Sequence, residues 1–362
     1  MTRIGFAYNQ KPDLVDATAA ELPSADEEPP SRGALATLAA PTRAPAPTDI
    51  ADEYAEWDAR ETIDAVSRAL ARYGSVIRLE ATEDFPQRLR DARPDIVFNI
   101  AEGLRGPNRE SHVPAICEFY GIPYSGSDPF TLSLCLDKAR TKEVLRAHGV
   151  PTADWSLVQT VTEITTLLDQ PLDYPLFAKP VHEGSSKGIT ERNFVASPSA
   201  LRPAVLDLLE RYQQPVIVER YLPGAEFTCG VLGNGADARV LPLVAMNFAS
   251  LPAGALPIYG FEAKWLWDRA DRPLEIFECP ARISAALRAE IEDVVRRTFL
   301  ALGCRDWSRV DVRLDADGRA NVVEVNPLPG ILPDPADNSC LPKAARAAGM
   351  DYDALIGACL QA

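Results

Sequence analysis

The sequence predicts an α/β block built on a doubly wound parallel sheet, followed by two α+β subdomains. Three observations lead there. From Ile4 to His148 short apolar runs alternate with helical patterns, the order that places parallel strands under covering helices. From Pro151 the texture changes to strand–turn–strand patterns, which pair antiparallel. A strictly alternating hairpin from Arg309 to Asn326 then joins two half-buried strands.

Taken in order, Ile4–Tyr8 is the first strand. The stretch from about Gln10 to Thr48 is rich in Ala, Pro, Asp and Glu and lacks apolar periodicity, so it reads as a flexible insertion, either a lid or a passive excursion. A helix over Ile50–Tyr73 is stopped by Gly74. Val76–Glu80 is a strand, Phe85–Ala92 a short helix and Pro94–Asn99 a buried strand. Helices over Ala115–Tyr120 and Leu132–His148 flank the turn-rich Gly121–Ser127. Strand patterns follow around Leu176–Ile189, Val216–Glu219, Glu226–Leu232 and Leu241–Asn247, with a hairpin signal at Asn234-Gly235. Ser284–Leu302 is a helix with Ser284 as N-cap and Gly303 as stop, and a last helix starts near Tyr352. The boundaries expected are 1–126, 127–224 and 225–362.

Composition sets limits. The chain has 362 residues, 46% hydrophobic and 25% charged, ordinary values for a globular protein with a large core. A net charge of −15 argues against nucleic acid and against an anionic membrane as partner. No apolar run approaches the length of a membrane span, and the N-terminus lacks the features of a signal peptide. The seven cysteines are scattered and show no CxxC spacing, so they read as reduced, mostly buried thiols of a cytoplasmic protein. The three histidines have no metal spacing, which makes zinc improbable.

The hairpin carries the sharpest chemistry. Asp317-Gly318 is a two-residue turn signal. If those residues form the loop, Ala316 pairs with Arg319, Asp311 falls opposite Glu324 and Arg309 opposite Asn326. Those four then share one face, while Val310, Val312, Val323 and Val325 enter a core. Two carboxylates directly across a sheet repel each other unless a cation sits between them. The oxygen donors Asp311, Glu324 and Asn326 suit Mg²⁺. The plain alternative is a solvated hairpin face.

Two further segments are candidates. The stretch Phe177–Ile189 joins two strands through Glu183-Gly184-Ser185-Ser186-Lys187-Gly188, with Lys179 before it. Glycines allow close backbone approach, and serines and successive amides can cradle a phosphate, although the spacing is not that of a P-loop. An exposed hairpin is the plain alternative. Glu219 and Glu226 bracket Arg220-Tyr221-Leu222-Pro223-Gly224. Tyr221 and Leu222 could line a flat slot for a purine, and a carboxylate with free acceptors suits a ribose diol. Ordinary surface acids would look the same.

Together these blocks resemble the ATP-grasp superfamily, and within it the D-alanine–D-alanine ligases. Pro123–Ser127 through Asp137-Lys138 to Lys142 resembles that family's Tyr-Thr-Gly-Ser … Asp-Lys … Lys block. Lys179-Pro180 with Glu183–Ser186 resembles its Lys-Pro … Glu-Gly-Ser-Ser loop, and Glu219 to Glu226 its nucleotide strand. Phe261-Glu262-Ala263-Lys264 is similar to its Tyr-Glu-Ala-Lys, and Arg309-Val310-Asp311 with Glu324-Val325-Asn326 … Pro329-Gly330 to its metal and oxyanion blocks.

The resemblance implies an ATP-grasp fold with ATP sandwiched between the two α+β subdomains. Lys138 and Lys179 would hold the α- and β-phosphates, with Glu183, Ser185 and Ser186 in the phosphate loop. Glu219 and the backbone near Leu222 would read adenine beside Tyr221, Glu226 the ribose, and Lys264 the γ-phosphate. Asp311, Glu324 and Asn326 would hold two Mg²⁺, with Mn²⁺ as an alternative. A substrate carboxylate would become an acyl phosphate, an amine would attack it, and Arg309 with the amide of Gly330 would stabilise the oxyanion. Arg309, Ser185, Gly330 and Lys264 are the catalytic candidates. The family likeness also implies a homodimer acting on small-molecule carboxylate and amine substrates, both amino acids.

This sequence departs from the family where the amino acids would sit. The opening signature Gly-Gly-x-Ser-x-Glu-Arg-Glu-Val-Ser is replaced by Tyr8-Asn9-Gln10-Lys11-Pro12, leaving Glu56, Asp58 or Glu61 to supply an acid after the insertion. The family's Leu-His-Gly is Ala101-Glu102-Gly103 here. Glu102 either pairs with Arg105 or Arg109, or meets a substrate cation. Trp265 stands where a tyrosine orients the first substrate, beside Tyr259, and extra residues precede Ser339 and Cys340, where a Ser-Leu pair would seat the second. The nucleotide machinery is thus expected intact and the substrates other than two D-alanines. A true D-alanine–D-alanine ligase, or a non-catalytic ATP-binding regulator, are the competing readings.

Overall fold

The computed structural model describes residues 1–12, 54–260, 262–268 and 274–362, with the side chains of Trp265 and Leu266 outside the description. The expected insertion therefore lies almost wholly outside the described residues, as do Phe261 and the predicted helix start at Ile50.

A parallel sheet in the order β2-β1-β3 opens the molecule: β1 (Arg3–Tyr8), β2 (Ser75–Glu80) and β3 (Ile96–Asn99). Helices α1 (Arg60–Leu70), α2 (Phe85–Ala92) and α3 (His112–Tyr120) connect and cover it. The helix expected over Ile50–Tyr73 starts only at Arg60, because residues 54–57 form turns and Asp58 is tied to the first strand's end by a bridge to Gln10. Ile63, Val66 and Leu70 on α1 and Ile4 and Phe6 on β1 are fully buried. Each such side chain contributes on the order of 2 kcal/mol.

Two helices follow where one was expected. α4 (Pro129–Leu136) and α5 (Lys138–Ala147) meet at Asp137, whose extended backbone and carboxylate, accepting from the Arg140 amide, make it an N-cap in the middle of the run. The second sheet, β4-β7-β5-β6, is antiparallel, from β4 (Trp155–Val158), β5 (Leu176–Pro180), β6 (Phe194–Val195) and β7 (Val216–Arg220). Helices α6 (Val161–Leu168) and α7 (Pro198–Tyr212) cover one face.

The third sheet is also antiparallel: β8 (Glu226–Leu232), β9 (Arg239–Val240), β10 (Val244–Met246), β11 (Phe277–Glu278), β12 (Trp307–Leu314) and β13 (Ala320–Asn326). The hairpin expected at Asn234-Gly235 forms between β8 and β9. α8 (Ala285–Ala301) packs beneath, with Ser284 Oγ accepting from the Leu287 amide as the expected N-cap. α9 (Cys340–Ala347), not anticipated from sequence, and α10 (Tyr352–Gln361) complete the chain. α10 returns to the first domain, where Leu355, Ile356 and Cys359 share a core with Ile63, Val66 and Leu70. Trp307, fully buried, meets Phe98 edge-on at 5.1 Å and joins the first sheet to the third.

The β12–β13 hairpin has the expected far end and an unexpected near end. Asp311 does lie opposite Glu324, and Arg309 opposite Asn326. Near the turn, however, Leu314 pairs with Ala320 and Val312 with Val322, so the loop is one residue longer than the two-residue turn implied. A bulge between these stretches absorbs the offset. Val322 therefore fills the core slot expected for Val323, and Val323 is only half-buried and faces the cavity.

Candidate active site

The three sheets surround one cavity of about 390 Å³. Every site residue anticipated from sequence lines it except Glu61 and Trp265, the side chain of Trp265 lying outside the description.

At the inner end stands the hairpin face. Arg309 donates through Nε and Nη2 to Asp311 Oδ2 at 3.2 and 3.0 Å, and this contact holds the guanidinium pKa above its ordinary value despite burial. Lys138 Nζ lies 2.9 Å from Glu324 Oε1 and also donates to the Glu183 carbonyl. Lys138 and Lys179 hold the Glu324 carboxyl below its usual pKa against the opposing effect of burial. Each of the two opposed acids thus has a protein cation beside it. Asp311 Oδ1 and Asn326 Nδ2 are buried with no hydrogen-bond partner among the described residues. A free carboxylate oxygen and an adaptable amide beside a second carboxylate suit a hard cation that shares its remaining positions with phosphate and water. Among the described residues no three His, Cys, Asp or Glu side chains form a metal cluster by themselves. Lys264 lines the same end, its pKa lowered to about 8 by burial and then by Arg309.

Along the floor run the lysines of β5 and α5. Lys179 Nζ sits 2.5 Å from Glu219 Oε1, and Lys142 Nζ 2.9 Å from Glu219 Oε2. These two cations overcome burial and bring the Glu219 carboxyl down to about 2. Both oxygens of Glu219 thus stand beside lysines. Lys142, a full turn after Lys138 on α5, is 2% exposed and also reaches Thr152 Oγ1 at 2.7 Å. The i, i+4 spacing of these lysines was visible in sequence, but not that both turn inward. Glu226 keeps one oxygen for a ligand; the other accepts from Arg313 Nη1 at 2.8 Å. Arg313 was missed, although it continues the alternation through Arg309 and Asp311.

The phosphate-loop candidate is tied to the first domain. Glu56 Oε1 accepts from the Gly184 amide at 2.8 Å, and Glu56 Oε2 lies 3.4 Å from Lys187 Nζ. Arg109 grips the same carboxylate through Nε and Nη2. A Cβ at Gly184 would stand 2.8 Å from Glu56 Oε1, so this contact needs glycine. Ser185 and Ser186 both adopt left-handed backbone, at φ of 49° and 61°, a strained pair that fits a loop built to meet a ligand. Ser186 Oγ donates to the Tyr259 carbonyl, and Glu183 pairs with Lys187 at 2.6 Å. Of the three acids expected after the insertion, Glu56 and Asp58 line the cavity and Glu61 is exposed away from it.

Beyond Glu56 the wall becomes acidic. Glu102, Glu110 and Asp58 all line it, half-buried. Arg105 pairs with Glu83 and Arg109 with Glu56, so the ion pair that was one of the two readings of Glu102 does not form. Among the described residues neither Glu102 nor Glu110 has an ion-pair partner. Burial and the neighbouring acids, Glu110 first, raise the Glu102 pKa well above the carboxylate range. Burial and Glu56 carry Glu110 to about 8, and burial carries Asp58 to about 7. Gly103, at φ of 82°, has its Cα turned so close to the Arg109 carbonyl that no Cβ fits, which fixes where Glu102 enters the cavity.

At the opposite wall Tyr259 Oη donates to Asp268 Oδ2 at 3.1 Å, and Asn338 donates to the same carboxylate. Ser339 was expected to seat a carboxylate, yet its hydroxyl donates to the Gly330 carbonyl and accepts from the Leu332 amide. Cys340 Sγ accepts from Thr228 Oγ1, and burial pushes its thiol up to about 12.

The family model described as D-ala D-ala ligase C-terminus matches residues 144–361. The chain belongs to the D-alanine–D-alanine ligase family. It is an ADP-forming ATP-grasp ligase of the carbon–nitrogen class, and no described helix is long and apolar enough to cross a membrane. A D-alanine–D-alanine ligase of Bordetella pertussis is 39% identical over 256 residues, 71% of this chain and 74% of its own length. An uncharacterized protein, y4sG, of Sinorhizobium fredii is 38% identical over 265 residues, 73% of each chain. Among solved structures, the D-alanine–D-alanine ligase of Bacillus anthracis complexed with ATP superposes at a TM-score of 0.67 and 21% identity, covering 100% of this chain and 97% of that one. VanG D-Ala:D-Ser ligase of Enterococcus faecalis gives 0.68 at 20% identity, covering 99% and 98%. At those identities the two structures speak for the ATP-grasp fold alone.

Proposed function

We propose that this chain joins the carboxylate of one amino acid to the amine of another, at the expense of ATP, and that its substrates are not two D-alanines. The observation that carries the second half is the acidic wall. Glu102 and Glu110 are half-buried, lack a cation among the described residues, and face the end of the cavity nearest the first domain. Leaving a half-buried carboxylate unpaired costs roughly 1–3 kcal/mol. A substrate with a cationic group beyond its α-ammonium would remove that cost.

ATP would supply the phosphoryl group that turns a carboxylate into an acyl phosphate, and Mg²⁺ held by Asp311, Glu324 and Asn326 would offset phosphate charge. The chain's own groups have these roles. Lys138 and Lys179 hold the α- and β-phosphates against the floor, and Ser185, Ser186 and the amides after Glu183 cover them. Lys264 meets the γ-phosphate. Glu219, fixed between two lysines, sits beside Tyr221 and Leu222 at the base, and Glu226 takes the ribose. Arg309 and the Gly330 amide stabilise the oxyanion formed when the amine attacks, a contribution of about 3 kcal/mol per preorganised donor. Glu102, Tyr259, Trp265, Ser339 and Cys340 shape the two amino-acid pockets. We assign 1–126, 127–224 and 225–362 as domains and a homodimer as the assembly.

The test is phosphate release measured over a matrix of D- and L-amino acids, including basic ones. Turnover requiring a basic or bulky amino acid supports the reading. The 39% identity to a D-alanine–D-alanine ligase favours the rival reading, and efficient turnover of D-alanine alone would establish it.

A further inference from the structure

Arg313 belongs to no part of the machinery assigned so far, yet it sits in the cavity wall at 5% exposure. It lies directly across the antiparallel β8–β12 pair from Glu226. Its Nη1 donates to Glu226 Oε2 at 2.8 Å, and its Nη2 donates to Tyr221 Oη at 2.8 Å and the Pro257 carbonyl at 2.9 Å. The guanidinium also stands 4.9 Å from the centre of the Tyr221 ring and 5.4 Å from that of Phe248. Two rings and three acceptors hold it from several sides. Its Nε is buried with no acceptor among the described residues.

From this geometry we infer that Arg313 is the residue that sets sugar selectivity for the nucleotide, by holding Glu226 in one orientation with a single oxygen left for the ribose hydroxyls. The inference rests on the reading of Glu226 as the ribose acceptor. Glu226 alone could swing: it is the first residue of β8 and follows the Pro223-Gly224 turn. The cross-strand ion pair removes that freedom, and a planar guanidinium held by several acceptors does so with directional bonds that a lysine could not reproduce. Burial raises the Glu226 carboxyl above its ordinary value, and the Arg313 guanidinium is the main influence opposing that rise. A carboxyl group already held in one orientation accepts from a hydroxyl at less entropic cost than one free to rotate.

Calorimetric titration with ATP, 2′-deoxy-ATP and 3′-deoxy-ATP, each with Mg²⁺, tests this without needing the amino-acid substrates. The parent protein should bind ATP about tenfold more tightly than at least one deoxy analogue, the size of one charge-assisted hydrogen bond. Arg313→Met should bring that ratio close to one, and Arg313→Lys should recover only part of it. If Arg313→Met does not fold, as judged by its melting transition, Arg313→Gln and Arg313→Lys carry the comparison. A variant that keeps the parent's ratio while Glu226→Gln loses it removes Arg313 from this role and leaves Glu226 in place. A parent ratio near one, or a Glu226→Gln variant with the parent's ratio, overturns both assignments.

Discussion

The two ends of the cavity balance charge in opposite ways. At the inner end each carboxylate stands beside a protein cation: Asp311 with Arg309, Glu324 with Lys138, Glu219 with Lys142 and Lys179, Glu226 with Arg313. Near the first domain Glu102 and Glu110 have no such partner among the described residues. Pairing cations with acids keeps the inner end ordered before ligands arrive, and incoming phosphate and Mg²⁺ can exchange partners with them. The other end is arranged to gain when a cation enters. One pocket wall is therefore preorganised, and the other waits for its substrate to complete it.

The largest effect should come from the inner end. Asp311→Asn or Glu324→Gln should lower turnover by about a thousandfold, several kcal/mol of transition-state charge stabilisation, with a melting temperature close to the parent's. Parental turnover in either variant would remove these residues from the metal site. Next, Glu102→Gln should raise KM for the amino substrate about tenfold, one charge-assisted contact, and leave KM for ATP unchanged. A rise in both KM values would mean that the acid wall supports the whole cavity rather than a substrate cation.

Smaller effects sharpen the contrast. Mg²⁺ and ATP together should raise the melting temperature and slow proteolysis within residues 183–188, since ligand binds only the folded form. Glu56→Gln should speed that cleavage in the free protein, because Glu56 holds the Gly184 amide and Lys187. Cleavage unaffected by ATP would separate this loop from the nucleotide. The gentlest expectation concerns pH. Asp58 and Glu110 have folded pKa values near 7 and 8, raised above the unfolded ones, so the folded state binds more protons between those limits. Stability of the free protein should then fall as pH rises from about 5 to 8. Glu110→Gln should flatten that fall in a urea-denaturation series; an unchanged slope would mean that Glu110 is solvated.

Much of the paired end was legible in the sequence, because its contacts are local or cross-strand. Alternation put Arg309, Asp311, Glu324 and Asn326 on one face. Continuing that alternation to Arg313 would have exposed the Glu226 partner as well. Asp137 was a readable cap, overlooked inside an apolar run. The clasp of Glu56 on Gly184 and Arg109 was not legible, since it joins residues far apart in the chain through side-chain contacts. Helix α9 was hidden for a different reason: Pro342 lies within its first turn, where proline is tolerated but interrupts the helical sequence pattern.

The hairpin's bulge has a consequence for how this gene can change. Val322 and Val323 are the same residue type, yet Val322 keeps a cross-strand partner in Val312 while Val323 is the extra residue of the bulge. The strand behaves like text with a reading frame. Losing the bulged residue at 323 would leave Val322 opposite Val312 and Glu324 opposite Asp311 on a regular ladder, whereas losing the paired Val325 would carry Asn326 to the opposite face. Substitutions along β13 should be graded in their effect, deletion of Val323 should keep stabilisation by ATP and Mg²⁺, and deletion of Val325 should abolish it. A Val325 deletion that still shows the parent's thermal shift would mean that the register can be rebuilt elsewhere.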